Sequence, residues 1–266
     1  MLECFSVRDK VIIITGALGL LGTTYTEGFT KEGAKVVVVD LDGDNCRKRA
    51  KEIAKKYGTK ALGIGCDITK PEEVEKMVHK VIADYGCIDV LINNAAIQTE
   101  HFFAPFEEYP LKDWEEVMKV DVTGMFLCSQ AAAKEMEKRK SGSIINISSI
   151  YGLVAPDEQI YEGAIYRGKK INTPLVYSTS KGAVLSLTRY LAAYLAKYGI
   201  RVNAVTPGGV YSGQNENFVK RYSEKCPLGR MATPQEVFHA VYFLACDASS
   251  YITGHNLVVD GGWTVR

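Results

Sequence analysis

The residues Val11-Ile12-Ile13-Ile14-Thr15-Gly16-Ala17-Leu18-Gly19-Leu20-Leu21-Gly22 join a short, β-branched apolar run to a glycine-rich turn. A helical pattern follows the turn directly. Glycines at a strand-to-helix junction let the backbone approach a pyrophosphate, whose charge is held by free N–H groups and the amino-terminal end of the helix. The glycines Gly16, Gly19 and Gly22 therefore predict a dinucleotide-binding loop.

The same alternation of strand and helix patterns continues along the chain. Six further runs are short and apolar, as buried strands of a parallel sheet are: Lys35 to Val39, Ala61 to Cys66, Ile88 to Ile92, Ser143 to Ile147, Arg201 to Val205 and Asn256 to Val259. Amphipathic helical spacing lies between them, for example over Pro71 to Tyr85, Leu111 to Lys138 and Tyr177 to Lys197. We therefore predict an α/β fold, a single doubly wound Rossmann-type domain over residues 1–266 with a parallel sheet of about seven strands.

Composition and charge exclude several classes of protein. Lys and Arg number 32 against 31 Asp and Glu, so no bulk field recruits nucleic acid or an anionic membrane. The seven cysteines stand singly and the four histidines lack ligand spacing, so we predict neither a disulfide framework nor a metal site. No apolar run approaches the roughly 20 residues of a membrane span, and the N-terminus lacks a signal-peptide pattern. We expect a soluble, cytoplasmic protein.

Asp40 ends the second predicted strand, 40 − 16 = 24 residues beyond Gly16. An acid near this position binds the adenosine ribose hydroxyls in dinucleotide-binding folds. It would also repel a 2′-phosphate by about 3 kcal/mol at roughly 5 Å and an effective dielectric near 20, which favours NAD over NADP. A helix-capping role for Asp40, and acceptance of a phosphate by Arg47 or Arg49, are the alternatives.

Tyr177 and Lys181 stand four residues apart at the start of a long helical pattern, so both side chains fall on one face. A lysine ammonium about 4 Å from a phenol favours the phenolate by about 4 kcal/mol at an effective dielectric near 20. A tyrosine in this setting can act as an acid or base at neutral pH. Tyr166 and Lys170 have the same spacing, but nearby glycine and proline residues oppose a continuing helix there.

Taken together, these residues resemble the short-chain dehydrogenase/reductase family over nearly the whole chain. The motifs, in family order, are the glycine loop, Asp67-Ile68, Asn93-Asn94-Ala95-Ala96, Ser148-Ser149, Tyr177-Ser178-Thr179-Ser180-Lys181 and Pro207-Gly208. The resemblance implies hydride transfer between a nicotinamide cofactor and a secondary alcohol or ketone. It also implies a homotetramer or homodimer assembled through two long helices, here Met118 to Met136 and Thr188 to Tyr198.

The resemblance also implies roles for individual residues. Ser149 would hydrogen-bond the substrate oxygen, Tyr177 would transfer the proton, and Lys181 would favour the phenolate and hold the nicotinamide ribose. Asp67 and Ile68 would flank the adenine. With the glycine loop and Asp40, the predicted cofactor-binding positions are Gly16, Gly19, Leu20, Gly22, Asp40, Asp67, Ile68, Asn94, Ala95, Tyr177, Lys181, Pro207, Gly208, Val210 and Ser212.

Three features depart from the family pattern. Leu20 stands where the compact branch usually has its second glycine, while Gly19 gives a spacing similar to the longer, nucleotide-sugar branch. Asp121, the fourth catalytic candidate, replaces the usual asparagine of the proton relay. It can serve if the relay uses the main-chain carbonyl but not if it needs the amide, and a purely structural aspartate is the alternative. Finally, Ser149 and Tyr177 lie 177 − 149 = 28 residues apart, about twice the family's habit.

The extra length falls in residues 151–174, which we call the insertion. It must return beside the substrate, because open α/β folds bind ligands at the carboxyl edge of the sheet. Its polar and aromatic side chains suit a polyhydroxyl substrate: Asp157, Tyr161, Glu162, Tyr166, Arg167 and Lys169. The insertion is similar to oxidoreductases associated with flagellin modification and sugar-derivative synthesis. A subunit contact or a solvated loop remains the alternative.

The predicted function is therefore an NAD-dependent, short-chain oxidoreductase acting on a sugar or sugar derivative, with Tyr177 as general acid and base. NADP is the less favoured cofactor. A 3-oxoacyl-carrier-protein reductase is the alternative within the class, for which basic residues near the glycine loop are expected. A non-catalytic dinucleotide sensor is the alternative of another class, because a fold alone does not establish catalysis.

Overall fold

A computed structural model describes residues 3–166 and 168–265 of the chain. Its strands are β1 Val11–Thr15, β2 Lys35–Asp40, β3 Ala61–Gly65, β4 Val90–Asn93, β5 Gly142–Ile147, β6 Ile165–Tyr166, β7 Lys169–Lys170, β8 Ile200–Pro207 and β9 Asn256–Val259. Seven of these described strands form one parallel sheet in the order β3-β2-β1-β4-β5-β8-β9. The chain reverses its winding between β1 and β4, which is where open α/β sheets form their ligand crevice.

Helices cover both faces of this sheet. They are α1 Leu20–Lys31, α2 Gly43–Tyr57, α3 Pro71–Tyr85, α4 Leu111–Met118, α5 Met125–Arg139, α6 Leu175–Leu195, α7 Glu216–Lys225 and α8 Pro234–Ala245. On β1, Ile12 and Ile14 pack toward α1 and α8, whereas Val11 and Ile13 pack toward α3 and α5. Because strand side chains alternate between faces, a strand buried on both faces is apolar at every position.

The predicted fold is confirmed, with three local differences. The edge strand β3 is only half-buried, because it has a neighbouring strand on one side only. The helical pattern over 111–138 is divided by a π-helical segment, Lys119–Gly124, between α4 and α5. Helix α6 begins two residues earlier than predicted, at Leu175. None of the described helices combines the length and apolarity that crossing a lipid bilayer requires.

The insertion folds into two short 3₁₀ turns, Ile150–Gly152 and Glu158–Tyr161, followed by the antiparallel hairpin of β6 and β7. Tyr166 pairs with Lys169 and Lys170 pairs with Ile165 across this hairpin, so Tyr166 and Lys170 do not share a helix face. The prediction that no helix continues through this segment is therefore confirmed. Arg167 and the side chain of Lys169, which we predicted as possible anion ligands, lie outside the described residues.

Candidate active site

The glycine loop has the backbone geometry that a bound pyrophosphate requires. Gly16 has a φ of +61°, and a Cβ atom there would lie 2.6 Å from Ala95 Cα. A Cβ on Gly22 would lie 2.2 Å from the Gly16 carbonyl oxygen, so Gly22 allows helix α1 to pack closely on the loop. Gly19 precedes α1 without any side-chain cap. The first N–H groups of α1 are therefore not satisfied by a cap, and an anion fits there.

A cleft of about 500 Å³ opens beside this loop at the carboxyl edge of the sheet. Eight of the predicted cofactor-binding residues line it: Gly16, Gly19, Leu20, Asp40, Asp67, Ile68, Asn94 and Ala95. The Asn94 side-chain amide donates to the carbonyls of Thr15 and Gly16, both at 3.0 Å, and so holds the loop against β4. The residues present fit the adenosine half of a dinucleotide.

Both carboxylate oxygens of Asp40 are held by main-chain groups of the cleft. The Leu18 N–H donates to one oxygen at 3.0 Å, and the Leu41 N–H donates to the other at 2.8 Å. The two arginines considered as phosphate ligands are paired elsewhere. Arg47 pairs with Asp44 at 2.6 Å, and Arg49 with Glu27 at 3.1 Å.

A second cleft of about 430 Å³ adjoins the first and shares Leu20, Leu21, Asn94 and Ala96 with it. The other predicted residues converge here: Ser149, Tyr177, Lys181, Pro207, Gly208, Val210 and Ser212. Within the described set of predicted residues, Gly22 and Asp121 line neither cleft. Gly22 lies in the packing of α1, and Asp121 lies behind Lys181.

Tyr177 and Lys181 lie one helical turn apart at the start of α6, as the spacing predicts. The Lys181 Nζ atom lies 5.5 Å from the centre of the Tyr177 ring. It also lies 3.4 Å from Asp121 Oδ2 and donates to the Ile147 carbonyl at 3.3 Å. Burial opposes the charge of Lys181, but the Asp121 carboxylate, with a smaller contribution from Tyr177, outweighs it and raises the pKa of Lys181. Lys181 is therefore held as a cation.

Asp121 belongs to the π-helical segment and is almost completely buried. Its Oδ1 accepts from the Ile97 N–H at 3.2 Å, and its Oδ2 accepts from the Ser180 hydroxyl at 3.3 Å. The sequence argument treated the ammonium near Tyr177 as an isolated charge. The structure instead shows a buried ion pair, in which the Asp121 carboxylate partly neutralises the positive charge that Lys181 presents to Tyr177.

Ser149 follows the end of β5 and presents its side chain to the second cleft. Its hydroxyl accepts from the Tyr151 N–H at 3.3 Å. The preceding Ser148 hydroxyl donates to the Lys181 carbonyl at 2.9 Å, which ties the end of β5 to helix α6. Ser149, Tyr177 and Lys181 are thus brought to one side of the same cleft.

The sequence argument missed the loop between β4 and α4. Phe102 and Phe103 line the second cleft, and the Phe102 ring meets the Tyr177 ring edge-on at 6.2 Å. No periodic pattern marks this loop. The one available signal is its position after a strand that ends at the carboxyl edge of the sheet.

The insertion closes one end of the second cleft by docking on α7. Asp157 forms an ion pair with Lys225, and Glu162 pairs with Arg221 at 2.9 Å. Beneath these pairs lies a separate apolar cluster, formed by Ile160, Ala164, Phe218, Tyr222, Cys226 and Met231. The acidic residues that we predicted as substrate ligands therefore anchor the insertion instead.

Comparison with known proteins gives consistent matches over nearly the whole length of the chain. A family model described as enoyl-(acyl carrier protein) reductase matches residues 16–264. The 5-keto-D-gluconate 5-reductase of Escherichia coli is 34% identical, and the alignment covers 100% of this chain and 99% of that protein. The 3-oxoacyl-(acyl-carrier-protein) reductase FabG of Aquifex aeolicus is also 34% identical, with 96% and 98% covered. A crystal structure of gluconate 5-dehydrogenase from Burkholderia cenocepacia, in complex with NADP and tartrate, superposes with a TM-score of 0.88 at 30% identity, with 99% of this chain and 98% of that chain covered.

Proposed function

Because this chain belongs to the short-chain dehydrogenase/reductase family, and is an NAD(P)-dependent oxidoreductase acting on CH–OH groups or ketones, we propose that its substrate is a sugar or sugar derivative. One observation carries this choice: among the apolar side chains that line the cleft beside Tyr177 stand six that bear hydroxyl groups, namely Ser149, Tyr151, Tyr161, Tyr166, Thr173 and Ser212. Hydroxyl groups of a polyol can pair with such side chains, whereas an acyl chain cannot. The relatives named for gluconate chemistry support the same class.

We assign the chemical roles as follows. Tyr177 exchanges a proton with the reacting oxygen, and the Ser149 hydroxyl orients that oxygen. The nicotinamide ring, when bound, accepts or supplies the hydride. Lys181 provides a fixed positive charge beside the phenol, and Asp121 positions Lys181 from behind. Phe102 limits the movement of the Tyr177 ring.

NAD is the cofactor that we propose. Asp40 fixes a negative charge at the adenosine end of the first cleft, where a 2′-phosphate would be repelled by about 3 kcal/mol at roughly 5 Å. Arg47 and Arg49 are engaged by acidic partners. The gluconate 5-dehydrogenase structure contains NADP, so direct measurement of both dissociation constants tests this proposal.

Reduction of 3-oxoacyl groups on a carrier protein is the second candidate, supported by the FabG relative and the description of the family model. The hydroxyl-bearing side chains in the second cleft favour the sugar over the acyl chain. The test mixes the purified chain with NAD or NADP and a panel of polyols, aldonates, simple ketones and a 3-oxoacyl thioester. Absorbance of reduced nicotinamide is the readout. Turnover restricted to the thioester would contradict the sugar proposal.

Substitution Tyr177→Phe tests the assignment of the proton-transferring group. We expect turnover to be lost while cofactor binding is retained, because only the hydroxyl is removed. Binding of cofactor without turnover of any alcohol or ketone by the wild-type chain would favour the sensor function instead.

We also propose that the chain assembles through α5 and α6 into a homodimer or homotetramer. Phe126 on α5 and the stacked rings of Tyr190 and Tyr194 on α6 are exposed large apolar side chains. Large apolar side chains left in water on neighbouring helices are typical of a contact surface. Light scattering of the purified chain should give two or four copies, and a monomer at micromolar concentration would contradict this assembly.

A further inference from the structure

Two tyrosine hydroxyls of the insertion form a pair in the cleft that contains Tyr177. The hydroxyl oxygens of Tyr151 and Tyr161 lie 2.7 Å apart, and both residues line the second cleft with Ser149 and Tyr177. The Tyr161 ring packs on Phe218 of α7 at 5.3 Å, which fixes its place. The pair is therefore a built feature of the cleft wall.

Tyr151 is tied directly to the reacting end of the cleft. Its N–H donates to the Ser149 hydroxyl at 3.3 Å, and one residue separates the two in sequence. Ser149 is the residue that orients the reacting oxygen in the proposed function. The phenol pair therefore borders the same cleft as Ser149 and Tyr177.

The phenols of Tyr151 and Tyr161 both stay protonated, and so uncharged, at neutral pH. Burial raises the pKa of Tyr151 and raises that of Tyr161 further, and negative charge on Tyr177 adds to both. They therefore do not compete with Tyr177 for the exchanged proton. What they offer a ligand is hydrogen bonding.

The pair has hydrogen-bonding capacity to spare. Each phenol has one donor and can also accept, and only one of the two O–H groups is used between them. Thr173 lies beside both phenols, and hydrogen bonding from its hydroxyl lowers their pKa values, which uses acceptor positions of the phenols and not their donors. The pair is left with one donor and free acceptor positions.

We propose that Tyr151 and Tyr161 form the subsite for a second substrate hydroxyl, on a carbon adjacent to the reacting carbon, and so select vicinal diols over monohydroxy alcohols and acyl chains. This subsite rests on the proposed function, because it takes the reacting oxygen to lie between Ser149 and Tyr177. A substrate hydroxyl can accept a hydrogen bond from the remaining phenol O–H and donate one to a phenol oxygen at the same time. A methylene group in its place would leave a half-buried donor unpaired, and sites built to bond a hydroxyl reject analogues that lack it.

The test compares matched substrates that differ by one hydroxyl. Vicinal cyclohexanediol is paired with cyclohexanol, and vicinal butanediol with secondary butanol. The variant Tyr161→Phe removes one hydroxyl and keeps the ring that packs on Phe218. Tyr251→Phe is the control, because Tyr251 is fully exposed and remote from both clefts.

We expect the wild-type chain to prefer each diol at least tenfold in kcat/KM. Tyr161→Phe should lose that preference because its KM for the diol rises. Its kcat/KM for the monohydroxy alcohols and its dissociation constant for the cofactor should stay within twofold of the wild-type values. The control should behave as wild type. If Tyr161→Phe does not fold, Tyr151→Phe replaces it, and the wild-type preference is itself a test.

Two results would overturn the subsite and leave the oxidoreductase function intact. One is equal turnover of diol and monohydroxy alcohol by the wild-type chain, and the other is a proportional loss for both substrates in Tyr161→Phe. Turnover of the 3-oxoacyl thioester without turnover of any diol would refute the proposed substrate class, and the subsite with it. Absence of turnover with every alcohol and ketone would instead refute the proposed function.

Discussion

Replacing Asp121 by asparagine removes the negative charge that accompanies Lys181 and preserves the size of the side chain. The Nζ–Oδ2 distance of 3.4 Å corresponds to an attraction of about 5 kcal/mol at an effective dielectric near 20. Both groups are almost fully buried, so water cannot replace the lost partner. Breaking one side of a buried pair typically costs about 3–5 kcal/mol, which is the loss of unfolding free energy that we expect for Asp121→Asn.

The pH dependence of this loss has a definite sign. The pKa of Lys181 in the folded chain is raised above its ordinary value of 10.5 by Asp121, against the opposing effect of burial. The stabilisation from the pair is therefore fully present below pH 10.5 and is lost as the pH rises through the folded pKa. In Asp121→Asn the carboxylate that raises the pKa of Lys181 is gone, while burial still lowers it, so the pKa of Lys181 is lower than in the wild-type chain. The stability gap between the two chains should be widest at neutral pH and narrow toward and beyond pH 10.5.

Urea unfolding followed by tryptophan fluorescence, repeated over a series of pH values, measures this gap. We also expect kcat/KM to fall at least tenfold, because Lys181 loses the group that positions it. Asp89→Asn is the matched control. Asp89 also pairs with a cation, Arg139 at 2.9 Å, but it contacts the beginning of β1 at the opposite edge of the sheet. This partly exposed pair should contribute about 1 kcal/mol and leave kcat/KM unchanged. A gap below about 1 kcal/mol for Asp121→Asn, or one that does not narrow in alkali, would refute the reasoning.

Three further substitutions test other parts of the structure. Asp40→Asn should improve the ratio of NADP to NAD binding at least tenfold, because a phosphate no longer meets a carboxylate; an unchanged ratio by titration would contradict this. Hydrogen bonds from Lys56 and Tyr57 lower the pKa of Glu27 from 4.5 to about 2, so the stability that Glu27 contributes is present above pH 4.5 and is lost as the pH falls toward 2. Glu27→Gln should therefore reduce the loss of unfolding free energy between pH 4.5 and 2, as measured by urea unfolding. The same change at the exposed Glu52 should leave that loss unaltered. Gly22→Ala should cost about 1–3 kcal/mol in urea unfolding, because the new Cβ meets backbone atoms, whereas Gly182→Ala, with room in α6, should not destabilise.

Parts of this protein are encoded locally in its sequence. The seven sheet strands are short apolar runs, and the glycine loop and Asp40 stand at the ends of β1 and β2, where parallel strands place their ligands. Tyr177 and Lys181 share a helix face because four residues make about one turn. Each of these inferences uses residues within one element or its end, so the repeat of the backbone is enough to make it.

Contacts between distant segments were decided by the tertiary structure. The sequence contains Asp121 and Lys181, but only the crossing of the π-helical segment with α6 makes them an ion pair. The same holds for the edge-on contact of Phe102 with Tyr177 and for the meeting of Tyr151 with Tyr161. Asp121 and Phe102 lie in other connections than Lys181 and Tyr177, and Tyr151 and Tyr161 are ten residues apart within the insertion, so no periodicity links the members of each pair. Packing of whole elements sets their distances, which is why a candidate site could be predicted from the sequence while its buried ion pair and the lining of its cleft could not.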